Sequence, residues 1–97
     1  MTGGWVYILA NKPHGVLYVG VTAQLTDRLA AHRLGQGSEF AHKYNCHRLV
    51  YAEAHTRIDE AIWREKCIKK WRRDWKIELI EKANPQWRDL TDALHLT

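Results

Sequence analysis

Ninety-seven residues are expected to form one domain spanning 1–97, with a single modest core. Apolar residues at 45% and charged residues at 27% exclude a disordered chain, and the lack of any long apolar run excludes a helical membrane protein. A net charge of +4 suits a polyanionic partner without establishing one.

No charged-then-apolar leader opens the chain, so a cytoplasmic location is expected, with no membrane partner. Cys46 and Cys67 make no disulfide framework. Cys46-His47 with His42 nearby falls short of the four closely spaced ligands of a structural zinc site.

In chain order, Trp5-Val6-Tyr7-Ile8-Leu9 and Leu17-Tyr18-Val19-Gly20-Val21 are short runs rich in β-branched and aromatic residues. The turn-like Asn11-Lys12-Pro13-His14-Gly15 between them predicts a hairpin. Alternation puts Trp5, Tyr7 and Leu9 on one face of the first strand, and Tyr18 and Gly20 on one face of the second. Gln24 to Leu34 reads as a helix with Leu25, Leu29 and Ala30 as its buried stripe and Gly35 as its stop. A polar loop to about His47 precedes a third strand, Arg48 to Ala52.

Thr56 with Asp59 resembles a capping box for a helix from Arg57 to about Lys70. Another helix, about Arg73 to Lys82, ends before Asn84-Pro85. The order β-β-α-β-α-α predicts an α+β fold, a small three-stranded, largely antiparallel sheet flanked by helices.

Three groups of residues carry possible chemistry. Glu65 falls within the stripe Ile58, Ala61, Ile62 and Ile68, and a carboxylate there costs several kcal/mol (~2–5) unless paired or bound to metal. It is a salt-bridge partner of Arg28 or Lys69, a Glu that reaches out from a shallow stripe, or a metal ligand. Arg28 and His32 share one helix face beside Leu25 and Leu29. They are either a solvated basic pair or a phosphate-binding fork beside a proton carrier. From Lys66 to Lys76 run Lys66, Lys69, Lys70, Arg72, Arg73 and Lys76, opposed only by Asp74. Such a run either neutralises phosphates or is a solvated helix face; the four-residue spacing of Trp71 and Trp75 assigns those rings to the core.

Taken together, the segments WVYIL, LYVGVT, TDRLAAH, KYN…RLVYAE, AIWREKCIKKWRRDWK and NPQWRDL resemble the GIY-YIG nuclease family over about residues 5–94. The likeness is to its small stand-alone members, which share this domain with the repair incision nuclease and some homing endonucleases. The motifs here read Trp-Val-Tyr and Tyr-Val-Gly, with Trp5 placing a bulky ring near the mouth of the site.

The resemblance implies a Mg²⁺- or Mn²⁺-dependent endonuclease hydrolysing phosphodiester bonds, in DNA in preference to RNA, on repair or recombination substrates. It implies Tyr7 as general base or water ligand, Tyr18 as a hydrogen-bond partner of water or phosphate, Arg28, His32 and Asn84 as further catalytic residues, and Glu65 as the metal ligand. Lys43, Lys69, Lys70, Arg72 and Arg73 are expected to contact nucleic acid, with any sequence specificity supplied by a protein partner or by substrate shape. The alternatives are a non-catalytic nucleic-acid-binding module that keeps the fold, and a protein-interaction adaptor.

Overall fold

A computed structural model describes residues 2–94. Three strands, β1 (Gly4–Ala10), β2 (Leu17–Thr22) and β3 (Arg48–His55), pair antiparallel in the order β2-β1-β3. The central strand is the most apolar of the three, and Val6 to Ala10 are all buried. Helices α1 (Leu25–Arg33), α2 (Glu39–Lys43), α3 (Ile58–Lys70), α4 (Arg73–Ala83) and α5 (Thr91–Leu94) complete the α+β fold.

Alternation along β1 divides the interior into two layers. Val6, Ile8 and Ala10 point into one, with Val19, Val50, Ala61 and Ile68 of α3, Ile80 of α4 and Trp87. Tyr7 and Leu9 point into the other, with Leu25 and Leu29 of α1, Ala41 of α2, Cys46 and Leu49. The register shifts between Ile8 and Leu9, which pair with Tyr51 and Leu49 and leave Val50 as the extra residue of a bulge. Its carbonyl accepts a hydrogen bond from Asn84 Nδ2 at 3.0 Å, which satisfies a group the ladder leaves out.

The hairpin turn is tied down from outside. Arg73 Nη2 donates to the carbonyls of His14 and Gly15, each at 2.6 Å, and His14 Nε2 lies 3.0 Å from Glu81 of α4.

Four local expectations are corrected. Ala30 is exposed, and His32 takes its place in the buried stripe of α1 beside Leu25 and Leu29. The stretch expected as loop contains α2, capped by Ser38, whose Oγ accepts the Ala41 N–H at 3.3 Å. Thr56 forms no capping box: α3 has Arg57 as its N-cap, without a side-chain cap bond, and Asp59 pairs with Arg57 instead. On α3, Ile58 and Ile62 are partly exposed, and the buried positions are Ala61, Glu65 and Ile68.

Candidate active site

Tyr7 pairs with Gly20 across the β1–β2 ladder and Leu9 pairs with Tyr18, so the two tyrosines are diagonal neighbours on one face. Their rings lie 6.2 Å apart. Gly20 makes this possible: a Cβ there would fall 2.5 Å from both Cζ and Oη of Tyr7, so the phenol lies flat across the strand only because the side chain is hydrogen. Trp5 lies along the same face, partly buried against the Tyr7 layer.

Helix α1 crosses this face with Arg28 and His32 one turn apart. Tyr7 Oη and His32 Nε2 are 2.8 Å apart in a bond buried on both sides, Tyr7 being 1% and His32 3% exposed. The imidazole stands edge-on to both phenols, with centroids 5.7 Å from Tyr7 and 5.3 Å from Tyr18.

The turn after α1 shapes the other side of the site. Gly35 has φ +78°, a left-handed helix end that favours glycine. Gly37 lies so close to the imidazole that a Cβ would be 2.5 Å from His32 Nδ1, and its carbonyl lies 3.4 Å from Arg28 Nη1 as a long hydrogen-bond acceptor. One short turn therefore positions both α1 side chains.

Electrostatics follow from the burial. Desolvation first, then the neighbouring Tyr18, pushes the Tyr7 phenol well above its ordinary range, with Arg28 opposing and the Glu65 carboxylate adding a further push upward. Burial lowers the His32 pKa, and Arg28 and His47 lower it further. At neutral pH the pair is a phenol against a neutral imidazole. Among the described residues, buried Nδ1 of His32 and of His47 find no hydrogen-bond partner.

Glu65 sits in the buried stripe of α3, and its Oε2 is paired with Lys69 Nζ at 3.2 Å, one helical turn on. Its carboxylate makes the smallest of the contributions that raise the Tyr7 pKa. Asn84 is occupied within the fold. Its amide nitrogen donates to the carbonyls of Val50 and Arg88, at 3.0 and 2.9 Å, and its Oδ1 accepts from the Arg88 N–H at 3.1 Å. It is not brought to the Tyr7–His32 pair by any of these bonds.

The basic residues divide. Lys70 is exposed, and Lys43 lies over the Tyr44 ring at 5.4 Å. Lys69 is held by Glu65, Arg72 by Asp74 at 3.0 Å, and Arg73 by the hairpin turn. Trp75, expected in the core, is 48% exposed, with the Arg72 guanidinium over its ring at 5.2 Å. It pairs edge-on with Trp71 and lines a groove of about 350 Å³ with Glu78, Leu79 and Lys82.

Sequence reasoning missed several side chains around the site. Phe40 and Tyr44 stand at its mouth on α2, and their signal was the Ser38 cap followed by aromatics at helical spacing. It also missed a polar cluster on β3, where Glu53 accepts from Tyr51 Oη at 2.5 Å and Arg64 Nε at 3.0 Å and lies 2.6 Å from His55 Nε2. Burial pushes the Glu53 carboxyl up, but these partners outweigh it and hold it below its usual range; the Tyr51 phenol is pushed up to about 12 by burial. Among the described residues, no group of three or more His, Cys, Asp or Glu side chains converges as metal ligands. No helix among them is long and apolar enough to cross a membrane.

A three-stranded antiparallel sheet with one tyrosine on each hairpin strand, crossed by a helix bearing Arg and His, defines a small catalytic domain of GIY-YIG type. The profile of the GIY-YIG catalytic domain matches residues 3–78, and the chain belongs to this family of nucleases. It is 34% identical over 82 residues to a UPF0213 protein of Staphylococcus haemolyticus, covering 84% of this chain and 99% of that one. It is 40% identical over 80 residues to a UPF0213 protein of Clostridium perfringens, covering 82% and 85%. A UPF0213 protein of Pseudomonas aeruginosa is 34% identical over 65 residues, 67% of this chain and 62% of that one. No solved structure gives a significant match. Asn84 lies beyond the residues that the profile matches.

Proposed function

We propose that the chain acts as one nuclease domain, a metal-dependent endonuclease that hydrolyses phosphodiester bonds in DNA, or in RNA as second choice, by direct attack of water. The observation that carries this reading is the buried 2.8 Å bond between Tyr7 Oη and His32 Nε2, with Tyr18, Arg28 and the charge of Glu65 around it. A phenol and a neutral imidazole in contact form a proton path. With His32 protonated on Nδ1, its Nε2 accepts the Tyr7 O–H, and the Tyr7 oxygen keeps a lone pair for the attacking water. As the water attacks phosphorus, its proton passes to the Tyr7 oxygen and the Tyr7 proton passes to Nε2. No free phenolate has to form, so the high pKa of Tyr7 is no obstacle.

Arg28 supplies donors and fixed positive charge to the non-bridging phosphate oxygens, where charge develops in the transition state. Tyr18 orients the water or the phosphate. Asn84 positions the site indirectly, by pinning the β3 bulge.

The donor set fits a hard cation that keeps most of its waters, since Mg²⁺ is commonly held by one carboxylate plus phosphate oxygens. Glu65 would hold it, once Lys69 yields the carboxylate. When bound, Mg²⁺ or Mn²⁺ neutralises charge on the phosphate and the leaving oxygen.

Contacts to flanking phosphates fall to Lys43 and Lys70, joined by Lys69, Arg72 and Arg73 where substrate competes for them. A cytoplasmic setting agrees with the two free cysteines. The second reading, a non-catalytic nucleic-acid-binding module, draws on the Glu65–Lys69 pair, which already satisfies the carboxylate. Incubating the protein with branched, flapped, single-stranded and duplex DNA and RNA in Mg²⁺, Mn²⁺ or EDTA separates the two. Metal-dependent cleavage lost in Tyr7→Phe supports the first; salt-sensitive binding without cleavage supports the second.

A further inference from the structure

Helix α2 and its C-cap residue, Tyr44, carry two aromatic rings that the helix's anchoring does not explain. The helix is fastened by buried Ala41 and by the Ser38 cap. Phe40 and Tyr44 lie on one side of it, four residues apart, with rings 4.8 Å apart. They remain 46% and 40% exposed. Inward, Phe40 stacks on Tyr18, with centroids 6.3 Å apart and planes 30° apart, and Tyr18 faces both Tyr7 and His32. Outward, the row ends under the Lys43 ammonium. A continuous series of rings thus leads from the buried proton path to solvent and terminates on positive charge.

We infer that Phe40 and Tyr44 are a stacking platform for an unpaired nucleobase beside the phosphate that enters the Tyr7–Tyr18–Arg28–His32 pocket. The inference rests on the nuclease reading above and specifies its substrate class: a strand with unpaired nucleotides at the cut site, not continuous duplex. Bases inside a duplex have both faces covered by their neighbours, whereas an unpaired base offers a free face to an aromatic ring. The charges suit a strand, since Arg28 acts on Tyr7 in the pocket and Lys43 lies over the Tyr44 ring at the outer end of the row, where the next phosphate of an unpaired strand would run. Every base has a π-face, so the platform selects for unpaired structure and is indifferent to sequence.

The test is binding in EDTA, where metal-dependent cleavage is suppressed. The full chain is titrated with one oligonucleotide containing 2-aminopurine, either single-stranded or annealed to its complement. The parent should bind the single strand more tightly by about tenfold or more and quench its 2-aminopurine, the signature of stacking. Phe40→Ala with Tyr44→Ala should lose roughly ten- to a hundredfold of single-strand affinity, as expected per stacked base, with duplex affinity unchanged.

The Leu pair, Phe40→Leu with Tyr44→Leu, keeps apolar bulk without rings, guards against loss of fold, and should behave like the Ala pair at a parental melting temperature. Equal affinity of the parent for both forms, no binding to either, or a Leu pair that still prefers and quenches the single strand overturns the platform. Failure of the nuclease reading looks different: the parent cuts nothing in Mg²⁺ or Mn²⁺, while the single-strand preference and its loss in the variants persist.

Discussion

Gly20→Ala adds one methyl group to the strand beneath the Tyr7 phenol, at 2.5 Å from Cζ and Oη and 2.9 Å from Cε1. Ordinary carbon contacts lie near ~3.5 Å, so the ring tip must withdraw by about 1 Å. It has little room, because Tyr7 is packed among Leu9, Leu25 and Leu29. A displacement of that size stretches the 2.8 Å bond to His32 Nε2 beyond hydrogen-bonding range. Overpacking and the lost buried bond together cost about 2–3 kcal/mol, or roughly 10–20 °C of Tm in a domain of this size. Cleavage should fall by about a hundredfold, the scale of a 1 Å misplacement of a reacting group.

Thermal melts and single-turnover cleavage of Gly20→Ala, Tyr7→Phe and the double variant form a cycle. Since Tyr7→Phe already breaks the proton path, adding Gly20→Ala to it should cost stability but almost no further activity. Multiplying losses of activity would refute the displacement, and so would a Gly20→Ala protein that melts and cuts like the parent.

Three further outcomes follow from the same geometry. The folded-state pKa of His32 lies below its ordinary ~6.5, chiefly through burial. The unfolded chain therefore binds its proton first as pH falls, and this contribution to stability is lost below about 6.5 and not above it. Cleavage needs the neutral ring and should decline over the same acid range; a rate profile whose acid limb lies above 6.5 would contradict the role given to His32. Glu65→Gln should leave Tm nearly unchanged, since the Lys69 partner is half-exposed and such pairs contribute less than about 1 kcal/mol. It should abolish the rise of Tm with added Mg²⁺ and the cleavage with it; undiminished metal-dependent cutting would rule out Glu65 as ligand. Lys70→Ser should flatten the salt dependence of nucleic-acid binding without altering the melt, whereas Arg73→Ser should lower Tm by freeing the hairpin turn. The reverse pattern would move the phosphate contacts from Lys70 to Arg73.

The strands were legible because period-2 alternation has a single consistent solution once both hairpin faces must be buried. That assigned Tyr7 a face of the first strand and Tyr18 a face of the second, and the i,i+4 rule joined Arg28 to His32, while only the ladder register puts the two tyrosines on the same face. Helix α2 was illegible because five residues hold too few turns to show a period, leaving only the Ser38 cap as a sign. Ala30 and His32 exchanged places because a histidine scores as polar, although a buried tyrosine hydroxyl gives its ring a partner. Trp75 followed the spacing of Trp71 and Leu79 yet stayed half in solvent, since spacing fixes a helix face and not what covers it. The glycines of the site could not be interpreted at all from one strand or one loop. Gly37 gains its meaning only when α1 brings His32 within 2.5 Å of where a Cβ would stand.

The sheet works as a partition, and that division explains which parts of the chain carry chemistry. Its α3–α4 side is a packed layer of Val6, Ile8, Val19, Val50, Ile68, Ile80 and Trp87, closed at the bulge by Asn84 and at the hairpin by Arg73. The residues of that layer are apolar, so their substitutions should act through stability alone. The opposite side is thinner, covered by α1, the glycine-bearing turn and the short α2, and there the polar groups gather. Glu65, and the Glu53 cluster with Arg64 of α3, are exceptions to the partition. Glu65 is carried by α3, between Ala61 and Ile68, and its carboxylate is among the groups that raise the Tyr7 pKa. The ion-pair partner of Glu65, Lys69, lies one turn away on the same helix, so the pair does not depend on α2 or on the turn after α1. In the proposed nuclease, a metal held by Glu65 of α3 and the Tyr7–His32 proton path would be anchored on different elements, and the proposed stacking residues Phe40 and Tyr44 on a third.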